Sequence, residues 1–266
     1  MTKTTEAPTF SQLFATIVEQ PGIIHEAFSR FHNYSLGNQI LAWFQCTQRG
    51  ITPGPIATYS AWQGMGRQVR KGEKALVLCQ PVTVKKKAEE PEGQEAAFTL
   101  FTYRAKWFAL AQTEGASYEA ALPATWSKTQ ALAALDVTEV PFAHTDGNCH
   151  GYAIGRSVAV SDIAPMPFAV LAHELAHVVL GHTSEGQCSD TTDRTPRALR
   201  EVEAESVAML VVGSLGESGL EYCRGYVQHW LKGGTIPERS IQKIFKAADT
   251  ILRAGRQEPE QLQEAA

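Results

Sequence analysis

No stretch of the chain approaches eighteen uninterrupted apolar residues, and the first ten residues, MTKTTEAPTF, have no apolar core behind their lysine. A membrane span and a signal peptide are therefore not expected, and a soluble cytoplasmic protein is. Paired cysteine is missing as well. Cys46, Cys79, Cys149, Cys188 and Cys223 are odd in number and widely separated, with no C-x-x-C among them, so they read as reduced thiols. Cys149 and Cys188 stand near histidines in sequence and are the two that a metal could recruit, although a small buried thiol is the commoner outcome. There are no internal repeats.

Strong net charge is also absent: −4 over 266 residues argues, taken whole, against a nucleic-acid partner. The distribution reverses that reading. Residues 1–115 hold 12 Lys and Arg against 9 Asp and Glu, a net of +3, which leaves 12 against 19, a net of −7, for the remainder. Such asymmetry predicts two domains with different partners, and a 44% hydrophobic content can fill a core in each.

Apolar residues recur at helical spacing from Phe10 to His32, interrupted at Pro21-Gly22, which predicts two helices; a third runs from Leu36 to Gln48 and ends at Gly50. A short aromatic turn or helix, Tyr59-Ser60-Ala61-Trp62, follows Pro53-Gly54-Pro55. The segments Lys74–Val84 and Phe98–Phe108 are rich in β-formers and read as paired strands, joined by a charged, exposed loop after Lys85-Lys86-Lys87. The polar stretch Gln112–Ser117 is the expected domain boundary. Beyond it, helices are predicted at 125–135, Phe168–Gly181, Arg197–Leu215 and Ser240–Leu252, with a strand pair at Gly151–Val160 and a frayed C-terminal tail.

Residues four apart share a helix face, so in His173-Glu174-Leu175-Ala176-His177 the two histidines can present imidazole nitrogens to one ion. Glu174 can reach a water on that ion without being a ligand: the ion lowers the water's pKa, and the carboxylate takes its proton and later passes it to a leaving amine. Apolar neighbours Val170, Leu171, Leu175 and Val178 would bury the helix, and a dry surround strengthens the field of an ion. A third ligand is required, and Arg200–Ala208 offers Glu201, Glu203 and Glu205. Glu201 and Glu205 share a face, whereas Glu203 points about 200° away from Glu201 and is expected in solvent. One of the same-face pair is assigned to the metal, with Glu201 the first choice, and the other to a bond on a ligand histidine. His182, nine residues after His173, is one short of the third histidine of H-E-x-x-H-x-x-G-x-x-H and reads as a helix-end or cleft residue. His144, His150 and His229 have no spacing that marks them.

From Arg67 to Lys87 the chain sets Arg67, Arg70, Lys71, Lys74, Lys85, Lys86 and Lys87 against Glu73 alone, a local net of +6 that attracts phosphate. Exposed aromatics are the other half of single-strand recognition, because every unpaired base has a face to stack. Candidates are Tyr34, Tyr59, Trp62, Tyr103 and Trp107, with Arg104 and Lys106 on the strand face opposite Tyr103. Aromatics at such spacings are more often core, and composition alone does not choose DNA over RNA or an acidic protein.

The residues Phe31-His32-Asn33-Tyr34-Ser35-Leu36-Gly37-Asn38-Gln39, Ala61-Trp62, Gly66-Arg67-Gln68-Val69-Arg70-Lys71-Gly72-Glu73-Lys74-Ala75 and Gln112-Thr113-Glu114-Gly115 resemble the N-terminal domain of the ArdC antirestriction family. HELAHVVLGH at 173–182 and REVEAESVA at 200–208 resemble the zincin-like C-terminal domain of the same family, so the similarity spans about residues 10 to 250. The resemblance implies an α+β protein with a helix-plus-antiparallel-sheet domain at 8–115 that binds single-stranded DNA, and a mostly helical metallopeptidase domain at 122–255. It implies DNA contacts at Tyr34, Asn38, Trp62, Arg67, Arg70, Lys71 and Lys74. It also implies a Zn2+ or other divalent ion such as Mn2+ on His173, His177 and Glu201, with Glu205 as the orienting acid and Glu174 as the catalytic base. The implied role is plasmid- or phage-associated, protecting incoming DNA from host restriction, with a protein of the restriction system as a substrate; conjugation, evasion of phage defence and host housekeeping are the settings left open. The alternative is a protein that coats single strands and whose metal is structural.

Overall fold

The computed structural model describes residues 8–85, 97–120, 124–143, 149–183 and 196–257. The expectations for Lys86, Lys87 and the loop after them, His144, Cys188 and the C-terminal tail lie outside the described residues. The fold is α+β, and the chain forms two compact units, one of Asn38–Ala120 and one of Thr9–Gly37 with the chain from Ala121 onward.

Helices α1 (Phe10–Glu19) and α2 (Gly22–Phe31) open the chain, followed by α3 (Leu36–Gln48). The start of α1 is fixed by reciprocal bonds: Gln12 N–H donates to Thr9 Oγ1 at 3.2 Å and Thr9 N–H to Gln12 Oε1 at 2.9 Å. The residues that give these helices their periodicity, among them Leu13, Phe14, Ile17, Ile24 and Phe31, are buried. The expected N-terminal domain of 8–115 is not one compact unit, since α1 and α2 group with the second.

In the first unit β1 (Ile56–Thr58), α4 (Tyr59–Gly64), β2 (Arg67–Val69), β3 (Leu76–Lys85), β4 (Ala97–Ala109) and β5 (Thr113–Gly115) follow α3. The two β-rich runs pair antiparallel from Leu76↔Trp107 to Lys85↔Ala97, with an irregularity between Leu76 and Val77, and the sheet order is β1-β4-β3. An edge strand carries unpaired backbone groups, and here α3 satisfies them. Gln45 Nε2 donates to Val77 O at 2.7 Å while its Oε1 accepts from Val77 N–H at 2.9 Å; Asn38, two helical turns earlier, does the same with Cys79, both bonds at 2.9 Å. The segment 112–117, expected as the domain boundary, contributes β5, which pairs with β2 through Arg67↔Gly115, Gln68↔Glu114 and Val69↔Thr113, and the first unit ends just beyond it at Ala120. Not all of its polar residues face solvent: Gln112 is buried, with its amide donating to Glu73 Oε2 at 2.9 Å and Lys74 O at 3.0 Å.

The second unit continues with α5 (Lys128–Ala134), β6 (Thr138–Glu139), β7 (Gly151–Ile154), β8 (Ser157–Val160), α6 (Pro167–Val179), α7 (Arg197–Leu215), α8 (Leu220–Gly233) and α9 (Glu238–Ala254). Its small sheet has the order β6-β8-β7, with β7 antiparallel to β8 at one edge. Helix α7 is the axis: every residue from Val202 to Ser214 is buried, and α2, α6, α8 and α9 pack around it. A helix covered on all sides is apolar all round, as its later residues are. Its end is set by Gly216 at φ +70°, a left-handed cap that favours glycine. Among the described residues no helix is long and apolar enough to cross a membrane.

Candidate functional site

Pro167 opens α6 at a position where its missing N–H costs nothing, and the helix then carries His173, Glu174 and His177. His173 and His177 lie one turn apart, with Nε2 atoms 3.0 Å from each other. The first turns of α7 bring Glu201 Oε2 to 3.6 Å from both of those nitrogens. One ligand atom from each of His173, His177 and Glu201 lies within 4.8 Å of the other two, and among the described residues no other such group of three converges. Cys149, His150 and His229 take no part. Glu205, one turn after Glu201, meets the far side of the His173 ring, its Oε2 2.8 Å from Nδ1. The carboxylates therefore divide as the helix geometry predicts, with Glu201 at the nitrogens and Glu205 behind His173.

A carboxylate can only accept, so with Glu205 behind the ring a neutral His173, as an ion would require it, carries its proton on Nδ1 and leaves Nε2 bare. Two imidazole nitrogens and a carboxylate oxygen facing one point form a donor set suited to a divalent cation such as Zn2+ or Mn2+. The electrostatics agree. Burial opposes protonation of His173, yet Glu201 and Glu205 outweigh it and push its pKa up to about 10, which marks a place that attracts positive charge. Contacts with His173 and His177 hold the Glu201 carboxyl well below the usual range. Glu174 is 8% exposed, and burial pushes its carboxyl up, offset only in part by the two histidines. Beneath Glu205, buried Cys223 of α8 has its thiol pushed up by desolvation and by that carboxylate. Tyr226, one turn further along α8, is raised by burial and then by Glu201 and Glu205.

Glu203, expected in solvent, is instead 1% exposed, because from Val202 to Ser214 α7 has no solvent face. Its Oε2 lies 3.1 Å from His182 Nε2, and His182 Nδ1 lies 3.0 Å from His177 Nδ1. Sequence spacing excludes His182 as a ligand but holds no signal for this pairing.

The residues expected to contact DNA are placed differently. Trp62 is fully buried, its indole N–H donates to Phe108 O at 2.8 Å, and its ring packs edge-on against Tyr118, so it offers no stacking face. Trp107 is likewise core at 6% exposure. The Asn38 amide is committed to Cys79. Arg67 donates from Nε to Thr113 Oγ1 at 2.8 Å and from its other nitrogens to Thr113 O and Ala116 O. Arg70 donates to Thr113 O, Ala111 O and Glu73. Both guanidinium groups thus tie β2 to the chain around β5. Tyr34 is half-buried and belongs to the second unit. Lys71 and Lys74 are exposed. The exposed aromatics of the first unit include Phe101 at 71%, which is not among the sequence candidates, and Tyr103 at 42%, two residues apart on one face of β4; Arg104 and Lys106 beside them are exposed too.

Residues 16–108 match the family model described as the N-terminal domain of anti-restriction factor ArdC. That segment, about a third of the chain, is similar to the ArdC N-terminal domain. A crystal structure of the antirestriction ArdC protein from plasmid R388 in its metal-free form is 20% identical over 92% of this chain and 94% of that one, with a TM-score of 0.51. The Mn(II)-bound structure of the same R388 protein is 21% identical over 93% of this chain and 98% of that one, with a TM-score of 0.52. At those identities the likeness is one of fold. No curated protein matched the chain. The ArdC fold therefore extends over nearly the whole length of the chain.

Proposed function

We propose that this chain is a member of the ArdC family that binds single-stranded DNA through its first unit and hydrolyses peptide bonds with a divalent metal in its second, in the service of protecting incoming DNA from host restriction. The observation that carries the reading is the meeting of His173 Nε2, His177 Nε2 and Glu201 Oε2 beside buried Glu174. The R388 protein, which shares this fold, has a Mn(II)-bound structure, and that supports a divalent ion here. A divalent ion held by these three residues supplies Lewis acidity.

Glu174 is a residue on from the first ligand and does not join the donor set, which leaves its carboxylate free to take a proton from an attacking water and deliver it to the departing amine. Its upward-shifted carboxyl is a better base near neutral pH than an ordinary glutamate. Strand β7 lies over this residue: a Cβ placed on Gly151 would stand 3.1 Å from Glu174 Cγ. Since β7 is an edge of its sheet among the described residues, an extended peptide can add to it as a further strand and so be laid alongside the base.

For the first unit, Phe101 and Tyr103 supply faces on which bases stack, and the exposed Lys71 and Lys74 supply charge that tracks a phosphate chain. This replaces the set built on Trp62, Arg67 and Arg70, whose groups serve the fold.

The test uses the purified full chain with Mn2+ or Zn2+ and single-stranded DNA, following self-cleavage or cleavage of restriction-complex subunits. Glu174→Gln should fold and abolish cleavage. Nuclease protection of DNA that survives this substitution, with no cleavage by the parent under any metal, would establish strand coating with a structural metal instead.

A further inference from the structure

We propose that His182 and Glu203 form a relay that fixes His177 in the ring orientation and tautomer required to hold the ion, an inference that rests on the metal reading above. The two ligand histidines face an asymmetric support. His173 has a carboxylate directly behind it, Glu205 at 2.8 Å. His177 has none, and what stands behind it is another imidazole, with Nδ1 to Nδ1 at 3.0 Å.

Two imidazole nitrogens bond only if one carries the proton and the other does not. Glu203 decides which. A carboxylate accepts, so its Oε2, 3.1 Å away, requires the proton of His182 on Nε2. In a neutral His182 ring Nδ1 is then bare and accepts from His177, whose proton must sit on Nδ1. The consequence is a bare Nε2 on His177, aimed at His173 and Glu201. The relay delivers to His177 what Glu205 delivers to His173 in one step.

The backbone is built for this. Gly181 at φ +76° takes the left-handed turn that ends α6, and His182 N–H closes back on His177 O at 2.8 Å, the long bond of a Schellman turn. That bond returns the His182 ring over His177. Arg200 on α7 then pins the His182 carbonyl at 3.3 Å. The side chains of His182 and Glu203 are only 8% and 2% exposed, and burying an imidazole and a carboxylate is costly unless each meets a directed partner.

A purely structural cross-link between the end of α6 and α7 would explain the burial but not the alignment of four ring nitrogens. The experiment separates the two roles. Mn2+ and Zn2+ affinities of the full chain are measured by chelator competition for the parent, Glu203→Gln and His182→Gln, alongside thermal unfolding of the metal-free proteins. The relay predicts a loss of metal affinity of about 10–100-fold in variants that remain folded. Affinity within about twofold of the parent, with only the melting temperature lowered, would overturn it. A second measurement does not depend on the variants: imidazole nitrogen NMR of the zinc-loaded parent should find His177 protonated on Nδ1 and His182 on Nε2, and a His182 protonated on Nδ1 overturns the relay. A parent that binds neither metal sinks the metal reading and the relay together, whereas a binding parent with unaffected variants sinks the relay alone.

Discussion

Adding a single methyl group at Gly151 tests how closely the small sheet of the second unit is seated on α6. The new Cβ would stand 2.5 Å from Val170 Cγ1, 3.1 Å from Ala159 O and 3.1 Å from Glu174 Cγ. The first distance is shorter than carbon atoms tolerate, so β7 or α6 must move, and overpacking of this kind costs about 1–3 kcal/mol. For a unit of this size that is a fall in melting temperature of roughly 2–12 °C. Differential scanning calorimetry of Gly151→Ala reads it directly. Val170→Ala removes the worst contact, so the double variant should be more stable than the sum of the two single effects, by roughly 0.5–3 kcal/mol of coupling. The contact with Glu174 survives in the double variant, so cleavage should stay impaired while stability returns. A melting temperature for Gly151→Ala within about 1 °C of the parent, or singles and double that simply add, would refute this placement of β7.

The metal-free protein should lose stability as pH rises from 6.5 to about 10, because the raised pKa of His173 contributes stability that is complete below its ordinary value and gone above its folded one. For the same reason metal uptake at pH 8 should release protons, seen as buffer-dependent heats in titration calorimetry. Glu174→Gln should melt no lower than the parent at pH 8, since burial raises the carboxyl pKa and its ionisation weighs against the fold, while cleavage disappears. In filter-binding or fluorescence titrations, Lys71→Ala with Lys74→Ala should lower the salt slope of single-strand affinity by about 1.4, two phosphates' worth. Phe101→Ala should weaken binding by about 1–3 kcal/mol with little change of slope. Trp62→Ala should instead destabilise the protein by about 3–5 kcal/mol in denaturant unfolding, which a tryptophan on the DNA would not do.

Sequence periodicity locates most of the helices because their apolar stripes face a core: Ile17, Ile24, Ile244 and Ile251 all recur at helical spacing and are all buried. It misses α8, whose residues LEYCRGYVQHWLKG bury only Cys223 and Val227 and so show little stripe. The cluster of His173, His177 and Glu201 is legible because both histidines lie on one element and the acids on a second, where the spacing of four carries the geometry. Glu203 is not, since the angle between two side chains on a helix says which way each points but not whether solvent is there. Around α7 it is not. The basic run misleads for a related reason: counting Arg67 and Arg70 as charge ignores the backbone carbonyls that occupy them, and a pairing between β2 and β5, 46 residues apart for Arg67 and Thr113, leaves no local trace.

Because Glu201, Glu203 and Glu205 occupy alternate positions of one enclosed helix, each answering to a histidine from α6 or its C-terminal turn, the register of α7 is set by chemistry as much as by packing. Inserting or deleting one residue ahead of Glu201 would swing all three acids by about 100° and misdirect them together. Change of length in this stretch is therefore barred, even where a change of side chain would be survived.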